Sequence, residues 1–386
     1  MRIKPVWITS QAKANLYQSK YNINTDILLS GELVFELSDC TANQADLLTT
    51  FPKEAPGSVQ VFRNKDINVI LLHFLKIKNS IKTLKKFVYA DQVLFDFLSQ
   101  VDAYFYPVKK TVWELPNHTI DFSMSPYIMG ILNVTPDSFS DGGRFISQGK
   151  AVDHALSMVE EGAHIIDIGG ESTRPGSDPV PMDQELKRII PVIEGIRKHT
   201  DIPISIDTYK SEVAEAAFVA GANIVNDISG CTFDKRIIDI IKKYNAPVVI
   251  MHIKGTPKDM QLNPKYDDVF MDVYNFLYTQ LKLLQGSGIE NIAIDPGIGF
   301  GKTLKDNLRL FNNLKGLKFL SKPLLIGASR KSLIGKILDK EVDERLIGSL
   351  SIALISAMKG ADILRVHDVS ETKDTFKILD AIQSAD

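Results

Sequence analysis

Three observations on the 386-residue chain predict its fold class. From Pro126 onward, eight short apolar runs alternate with longer amphipathic stretches, over about 260 residues, the usual span of an α/β barrel. Nearly every one of those runs ends in a polar or charged side chain. The first 115 or so residues have a different texture, with apolar runs separated by Pro/Gly turns. Together these predict an α/β chain: a (β/α)8 TIM barrel over 120–386, preceded by a small N-terminal α/β domain over 1–115, with the boundary near 110 to 120.

In the N-terminal stretch, Leu33 to Leu37, Val59 to Phe62 and Asn68 to Leu75 read as strands, with turn residues between Pro52 and Gly57. Lys76, Lys78, Lys82, Lys85 and Lys86 read as a solvated helix face rather than a nucleic-acid patch. No chemistry is legible there, and the role of this domain is open. Thr119 to Phe122 is expected as a short hairpin strand before the barrel.

The eight barrel strands are expected around Tyr127, His164–Ile168, Ile202–Ile206, Ala222–Val225, Pro247–Ile250, Ile292–Ile294, Pro323–Ile326 and Ile363–Val366. Pro203 cannot donate to a ladder, so the third should pair fully only after it. Helices are expected at Gly149–Glu161, Met182–Lys198, Ser211–Ala220, Tyr266–Leu284 and Glu344–Met358.

Composition excludes several classes. The formal charge is −2, no apolar run reaches membrane-spanning length, and the start of the chain lacks a signal-peptide pattern, so a cytoplasmic enzyme with no membrane or nucleic-acid partner is expected. Cys40 and Cys231 have no metal or redox spacing and read as structural thiols.

In a parallel barrel the residues that end the strands converge on one face, where the active site sits. Here they are Asn133; Glu171, Thr173 and Arg174; Asp207; Asn226 and Asp227; His252 and Lys254; Asp295; Ser329 to Ser332; and Arg365 with His367. Each alone could be a helix cap or a satisfied core group. Jointly they define a polar pocket with two ends. Arg174, Lys331, Arg365 and His367 suit a phosphorylated group, whereas Asp207, Asn226 and Asp295 suit the N–H edge of a planar heterocycle. The run Gly297 to Thr303 imitates a phosphate loop, but Pro296 stands where GxxxxGK[ST] needs its first glycine, so its glycines are read as a tight turn beneath a ligand.

Quoted together, Asn133-Val134-Thr135-Pro136-Asp137-Ser138-Phe139-Ser140-Asp141-Gly142-Gly143, Gly170-Glu171-Ser172-Thr173-Arg174-Pro175-Gly176, Ile206-Asp207-Thr208, Asn226-Asp227, Met251-His252, Asp295-Pro296-Gly297-Ile298-Gly299-Phe300-Gly301-Lys302, Ser329-Arg330-Lys331-Ser332 and Arg365-Val366-His367-Asp368 resemble the dihydropteroate synthase family over the whole barrel. The resemblance implies condensation of 6-hydroxymethyl-7,8-dihydropterin pyrophosphate with p-aminobenzoate. It implies that Asp207, Asn226, Met251, Asp295, Phe300, Lys331 and Arg365 hold the pterin. Phe139, Thr173, Arg174, Pro175, Lys331 and Ser332 would shape the p-aminobenzoate site. Asn133, Arg365 and His367 would hold pyrophosphate with Mg2+, Asn133 being the metal residue, and Asp141, Asp207, Lys331, Arg365 and His367 would be the catalytic set. A homodimer is also implied. Asp259 is a departure, since related enzymes often carry a hydroxyl residue there. Two alternatives share the pterin-facing carboxylates or the fold: a methyltetrahydrofolate-binding barrel of methyl transfer, and a non-catalytic scaffold. The loops carrying Phe139 to Asp141 and Thr173-Arg174, with Lys331-Ser332, favour the synthase.

Overall fold

A computed structural model describes residues 2–7, 17–18, 33–55, 59–64, 69–74, 80–105, 111–123, 126–135 and 144–385. The chain divides into two compact units, one of Met1–Lys109 with Lys315–Ser321, the other of Lys110–Leu314 with Lys322–Asp386.

The first unit is built on four antiparallel strands, β1 (Arg2–Trp7), β2 (Leu33–Ser38), β3 (Val59–Asn64) and β4 (Val69–Phe74), in the order β1-β2-β4-β3. Pro5 is tolerated because β1 is an edge strand, where a missing N–H breaks no ladder. Phe35 lies edge-to-face with Phe97, centroids 4.9 Å apart, and with Phe319 at 5.1 Å, which ties segment 315–321 into this unit. On the helix Ser80–Phe87, Ile81 and Leu84 are buried while Lys82 and Lys86 face solvent, as expected of an amphipathic face. Lys76 and Lys78 lie outside the described residues.

The second unit begins with a hairpin, β5 (Val112–Leu115) and β6 (His118–Asp121), followed by eight parallel strands. These are β7 (Tyr127–Asn133), β8 (Ile165–Gly169), β9 (Ile204–Asp207), β10 (Ile224–Asp227), β11 (Val248–Met251), β12 (Ile292–Asp295), β13 (Leu325–Ile326) and β14 (Ile363–Val366). They run β12-β11-β10-β9-β8-β7-β14-β13, and a parallel bridge between Ile294 and Leu324 links the two ends of that order into a ring. The third strand starts at Ile204, just past Pro203. The strands are short and almost wholly buried because helices cover their outer face, as parallel sheets require.

One end of the barrel is closed by the hairpin. Trp113 and Ile120 pack onto a layer of Met129, Ile165, Ile224, Val249, Ala293, Leu325 and Ile363, one residue from each of seven strands. That apolar stopper leaves the opposite, C-terminal end of the strands for polar chemistry.

Candidate functional site

The strand register brings the first set of site residues to one level. Asn133 pairs with Gly169, Gly169 with Asp207, and Asp207 with Asn226, so four adjacent strands present their ends in a row. Gly169 lies between the two side chains: a Cβ on it would sit in ordinary van der Waals contact, 3.6 Å from the Asp207 carboxylate and 3.8 Å from Asn133 Oδ1.

Arg365, near the end of β14, reaches across the barrel. Its Nε donates to Asp167 Oδ2 at 2.6 Å and its Nη2 to Asp207 Oδ2 at 2.8 Å. Asn226 Nδ2 donates to the same Asp167 oxygen at 3.1 Å. Asp167 is fully buried, and the second oxygens of both Asp167 and Asp207 have no hydrogen-bond partner among the described residues. Burial pushes the Asp207 carboxyl up to about 7, although Arg365 opposes the shift. Such orphaned acceptors, held beside a fixed guanidinium, suit a ligand that brings N–H donors.

The β12 loop supplies the facing wall. Asp295 is buried and accepts from Gly297 N at 2.7 Å. Lys331 donates from Nζ to Ile298 O at 2.6 Å and stands 4.5 Å above the Phe300 ring, a cation–π contact that fixes both side chains. Burial lowers Lys331 to about 8. Met251 and Phe300 belong to one buried apolar cluster with Ile228 and Met260. Asp227 has a structural task instead: it accepts from Ser229 N, Ser229 Oγ and Cys231 N at 2.7, 2.7 and 3.0 Å, shaping the β10 loop.

His367 follows β14, with Nδ1 3.1 Å from Ser329 Oγ. Burial, then the neighbouring Arg365, lowers its pKa to about 4, so it enters at neutral pH as an uncharged imidazole rather than a cation. Arg330, which adopts φ 56°, pairs with Asp368, and its backbone N–H donates to Ser349 Oγ at 2.9 Å. Ser332 opens the helix Ser332–Leu338 and is exposed.

Thr173, Arg174 and Pro175 sit on the loop after β8, with Arg174 and Pro175 exposed. The loop is anchored from below by Lys210, whose Nζ reaches Glu171 Oε2 at 2.6 Å, Glu185 Oε2 at 2.5 Å and Val180 O at 2.7 Å. Its far side meets the β11 loop, where Gly176 N donates to Pro257 O at 2.9 Å. Asp259 organises that second loop by accepting from Thr256 N at 2.6 Å and Thr256 Oγ1 at 2.8 Å. Phe139 and Asp141 lie outside the described residues.

Two groups escaped the sequence reading. Asp167 carried a signal, a carboxylate flanked by Ile166 and Ile168 inside an apolar strand, where only a buried partner makes it tolerable. Lys302, 2% exposed, was hidden by its likeness to a phosphate-loop lysine.

A closed barrel that gathers orphaned carboxylate oxygens, an amide and the half-buried cations Lys331 and Arg365 at its C-terminal face has the makings of a binding site for a polar heterocycle. Residues 129–367 match the family described as pterin binding enzyme. Relatives named dihydropteroate synthase include that of Synechocystis, 46% identical over 74% of this chain and 99% of its own, and that of Escherichia coli, 47% identical over 67% and 93%. The Yersinia pestis dihydropteroate synthase crystal structure with a sulfonamide drug complex superposes with a TM-score of 0.68 at 42% identity, covering 71% of this chain and 100% of that one. The Xanthomonas albilineans dihydropteroate synthase with 7,8-dihydropteroate gives 0.65 at 38%, over 72% and 100%. The chain belongs to the pterin-binding enzyme family and, within it, to the dihydropteroate synthases.

Proposed function

We infer that the chain condenses 6-hydroxymethyl-7,8-dihydropterin pyrophosphate with p-aminobenzoate, giving 7,8-dihydropteroate and pyrophosphate for folate biosynthesis. The observation that carries this reading is the pair of buried, half-satisfied carboxylates, Asp167 and Asp207, gripped by Arg365 next to Asn226, Asp295 and Lys331. The barrel of residues 120–386 carries the chemistry, and the role of residues 1–115 is open.

In this assignment Asp207, Asn226 and Asp295 accept from and donate to the pterin edge, Lys331 donates beside it, and Met251 and Phe300 pack against the ring. Arg365, with two of its donors spent on carboxylates, turns the rest toward the ring and the pyrophosphate. His367 donates to a departing phosphate oxygen, and the dianion beside it favours the protonated imidazole. Asn133 offers an amide oxygen at the same end. Among the described residues no group of three His, Cys, Asp or Glu could hold a metal. A single neutral oxygen donor fits Mg2+ that arrives with the diphosphate, since that ion keeps waters and takes phosphate oxygens as ligands. Bound there, Mg2+ would neutralise charge on the leaving group.

Loss of pyrophosphate leaves a cation delocalised over the pterin, which the ionised Asp207 stabilises, with Asp141 acting from the first loop. The arylamine is already neutral at pH 7 and needs no strong base. Phe139, Thr173, Arg174, Pro175, Lys331 and Ser332 shape its site, and closing the two loops keeps water from the cation. The exposed Ile347, Ile355, Met358, Ile378 and Ile382, on the helices Leu346–Met358 and Val369–Gln383, offer an apolar face for a homodimer. A cytoplasmic location completes the proposal; no helix among the described residues is long and apolar enough to cross a membrane. The test is formation of 7,8-dihydropteroate by the full chain, expected one-to-one with pyrophosphate when both substrates are present, alongside calorimetry in which p-aminobenzoate binds only after the pterin pyrophosphate. Turnover with both substrates that yields pyrophosphate but no dihydropteroate would overturn the reaction, and binding of p-aminobenzoate alone would overturn the loop-assembled site.

A further inference from the structure

The run Gly297 to Lys302 looks like a phosphate loop in sequence, yet its carbonyls rather than its N–H groups meet the charge. Gly297, Gly299 and Gly301 all have positive φ, 68°, 86° and 61°. A Cβ on Gly297 would fall 1.9 Å from His252 O, and one on Gly301 2.4 Å from Lys254 O, so only glycine permits these turns against the backbone that follows β11. Into the space so formed goes the Lys302 side chain. Its Nζ lies 2.8 Å from Gly297 O, 2.9 Å from Phe300 O, 3.2 Å from His252 O and 3.0 Å from His252 Nδ1. Burial lowers the Lys302 pKa to about 7, with Asp295 opposing the shift; its charged form can only donate, and beside that form Nδ1 of His252 accepts and the imidazole proton sits on Nε2. The loop's other carbonyls are taken too: Ile298 O by Lys331, Gly299 O by Gln261 Nε2 at 2.7 Å and Gly301 O by Tyr266 OH at 2.6 Å.

Buried oxygen and nitrogen acceptors converging on one monovalent charge are the environment that proteins otherwise give to a free monovalent cation. We propose that Lys302 is a tethered cation, a positioning residue whose ammonium holds the β12 loop in the shape that presents Asp295 and Phe300 to the pterin. Asp295 is fastened to this loop through Gly297 N, and Phe300 through its own carbonyl. Lys302 touches no substrate in this arrangement, and its kinetic consequence rests on the pterin reading given above.

The experiment compares the full chain with Lys302→Ala, which opens the cradle, and Lys302→Met, which fills it without charge. Ammonium chloride is titrated against tetramethylammonium chloride at equal ionic strength, the second cation being too large to enter. The Ala variant is expected to melt higher as ammonium rises, whereas the wild-type chain and the Met variant respond to the two salts alike. The KM for the dihydropterin pyrophosphate should rise between about ten- and a hundredfold in both variants, with the KM for p-aminobenzoate within about twofold, because a displaced loop misplaces one substrate. Ammonium should reverse that rise in the Ala variant alone. Equal responses to the two salts in both melting and kinetics would overturn the proposal. Should the Ala variant fail to fold even in ammonium, a normal pterin KM in the Met variant overturns it. An ammonium-specific melting response with an unchanged KM would leave Lys302 a structural cation only and overturn its positioning of Asp295 and Phe300, whereas absence of turnover of the dihydropterin pyrophosphate by the wild-type chain is what would count against the pterin reading.

Discussion

Replacing Arg365 by Met tests how the centre of the site is held together. The guanidinium is the ion-pair partner of both Asp167 and Asp207, which are 0% and 8% exposed. Methionine fills much of the same volume but leaves two carboxylates without their cation, and breaking a buried pair typically costs about 3–5 kcal/mol. The loss has a definite pH dependence. Asp207 already has its pKa raised from 3.8 to about 7. A raised carboxyl contributes stability below its unfolded value, and that contribution is lost as pH rises through the folded value. Removing the cation moves the folded value further up, so the deficit of the variant grows with pH, by at most about 1.4 kcal/mol per unit for this group. Urea unfolding near pH 5.5 and pH 8.5 reads the difference. Adding Asp207→Asn should recover part of the deficit at the higher pH, since it removes the unpaired charge. A deficit equal at both pH values, or a double variant less stable than Arg365→Met at high pH, would refute the reasoning.

Other outcomes follow from the same geometry. Trp113→Ala removes the largest side chain of the barrel stopper and should cost about 3–5 kcal/mol in urea unfolding; a loss under about 1 kcal/mol would mean that the hairpin does not seal the barrel. Asp295→Ala should weaken binding of the dihydropterin pyrophosphate by roughly tenfold or more, since hydrogen bonds to a charged group are worth about 1.5–3 kcal/mol; calorimetry that finds wild-type affinity in a folded variant would remove Asp295 from the pterin site. Because burial raises Asp207 to about 7, affinity for the same ligand should fall as pH drops below that value, by up to about tenfold per unit, and a flat profile from about pH 8 to 5.5 would show that Asp207 does not accept from the ligand.

Much of this was legible in the sequence because parallel strands covered by helices are short, apolar and end abruptly. Asp207, Asn226 and Asp295 are strand-terminal or nearly so, and pattern alone brings them to one face. What pattern could not supply was which groups share a partner. Asp167 lies one turn of the pleat below the strand end and looked like a core position; only its contact with Arg365, 198 residues away, gives it meaning. Lys302 was misleading for a related reason, since glycine spacing reports backbone freedom and is silent on whether carbonyls or N–H groups turn inward. Strand β1 was missed outright, as Pro5 in a six-residue segment argues against a strand until its place at the sheet edge is known.

The first unit borrows Lys315–Ser321 from far along the chain, and this sets a clock on its maturation. During vectorial synthesis its final segment emerges after residues 110–314, and at about 5–20 residues per second that delay is roughly 10–40 s. Until then Phe35 lacks its contact with Phe319. The unit that leaves the ribosome first is thus completed only after six of the eight barrel strands have been made.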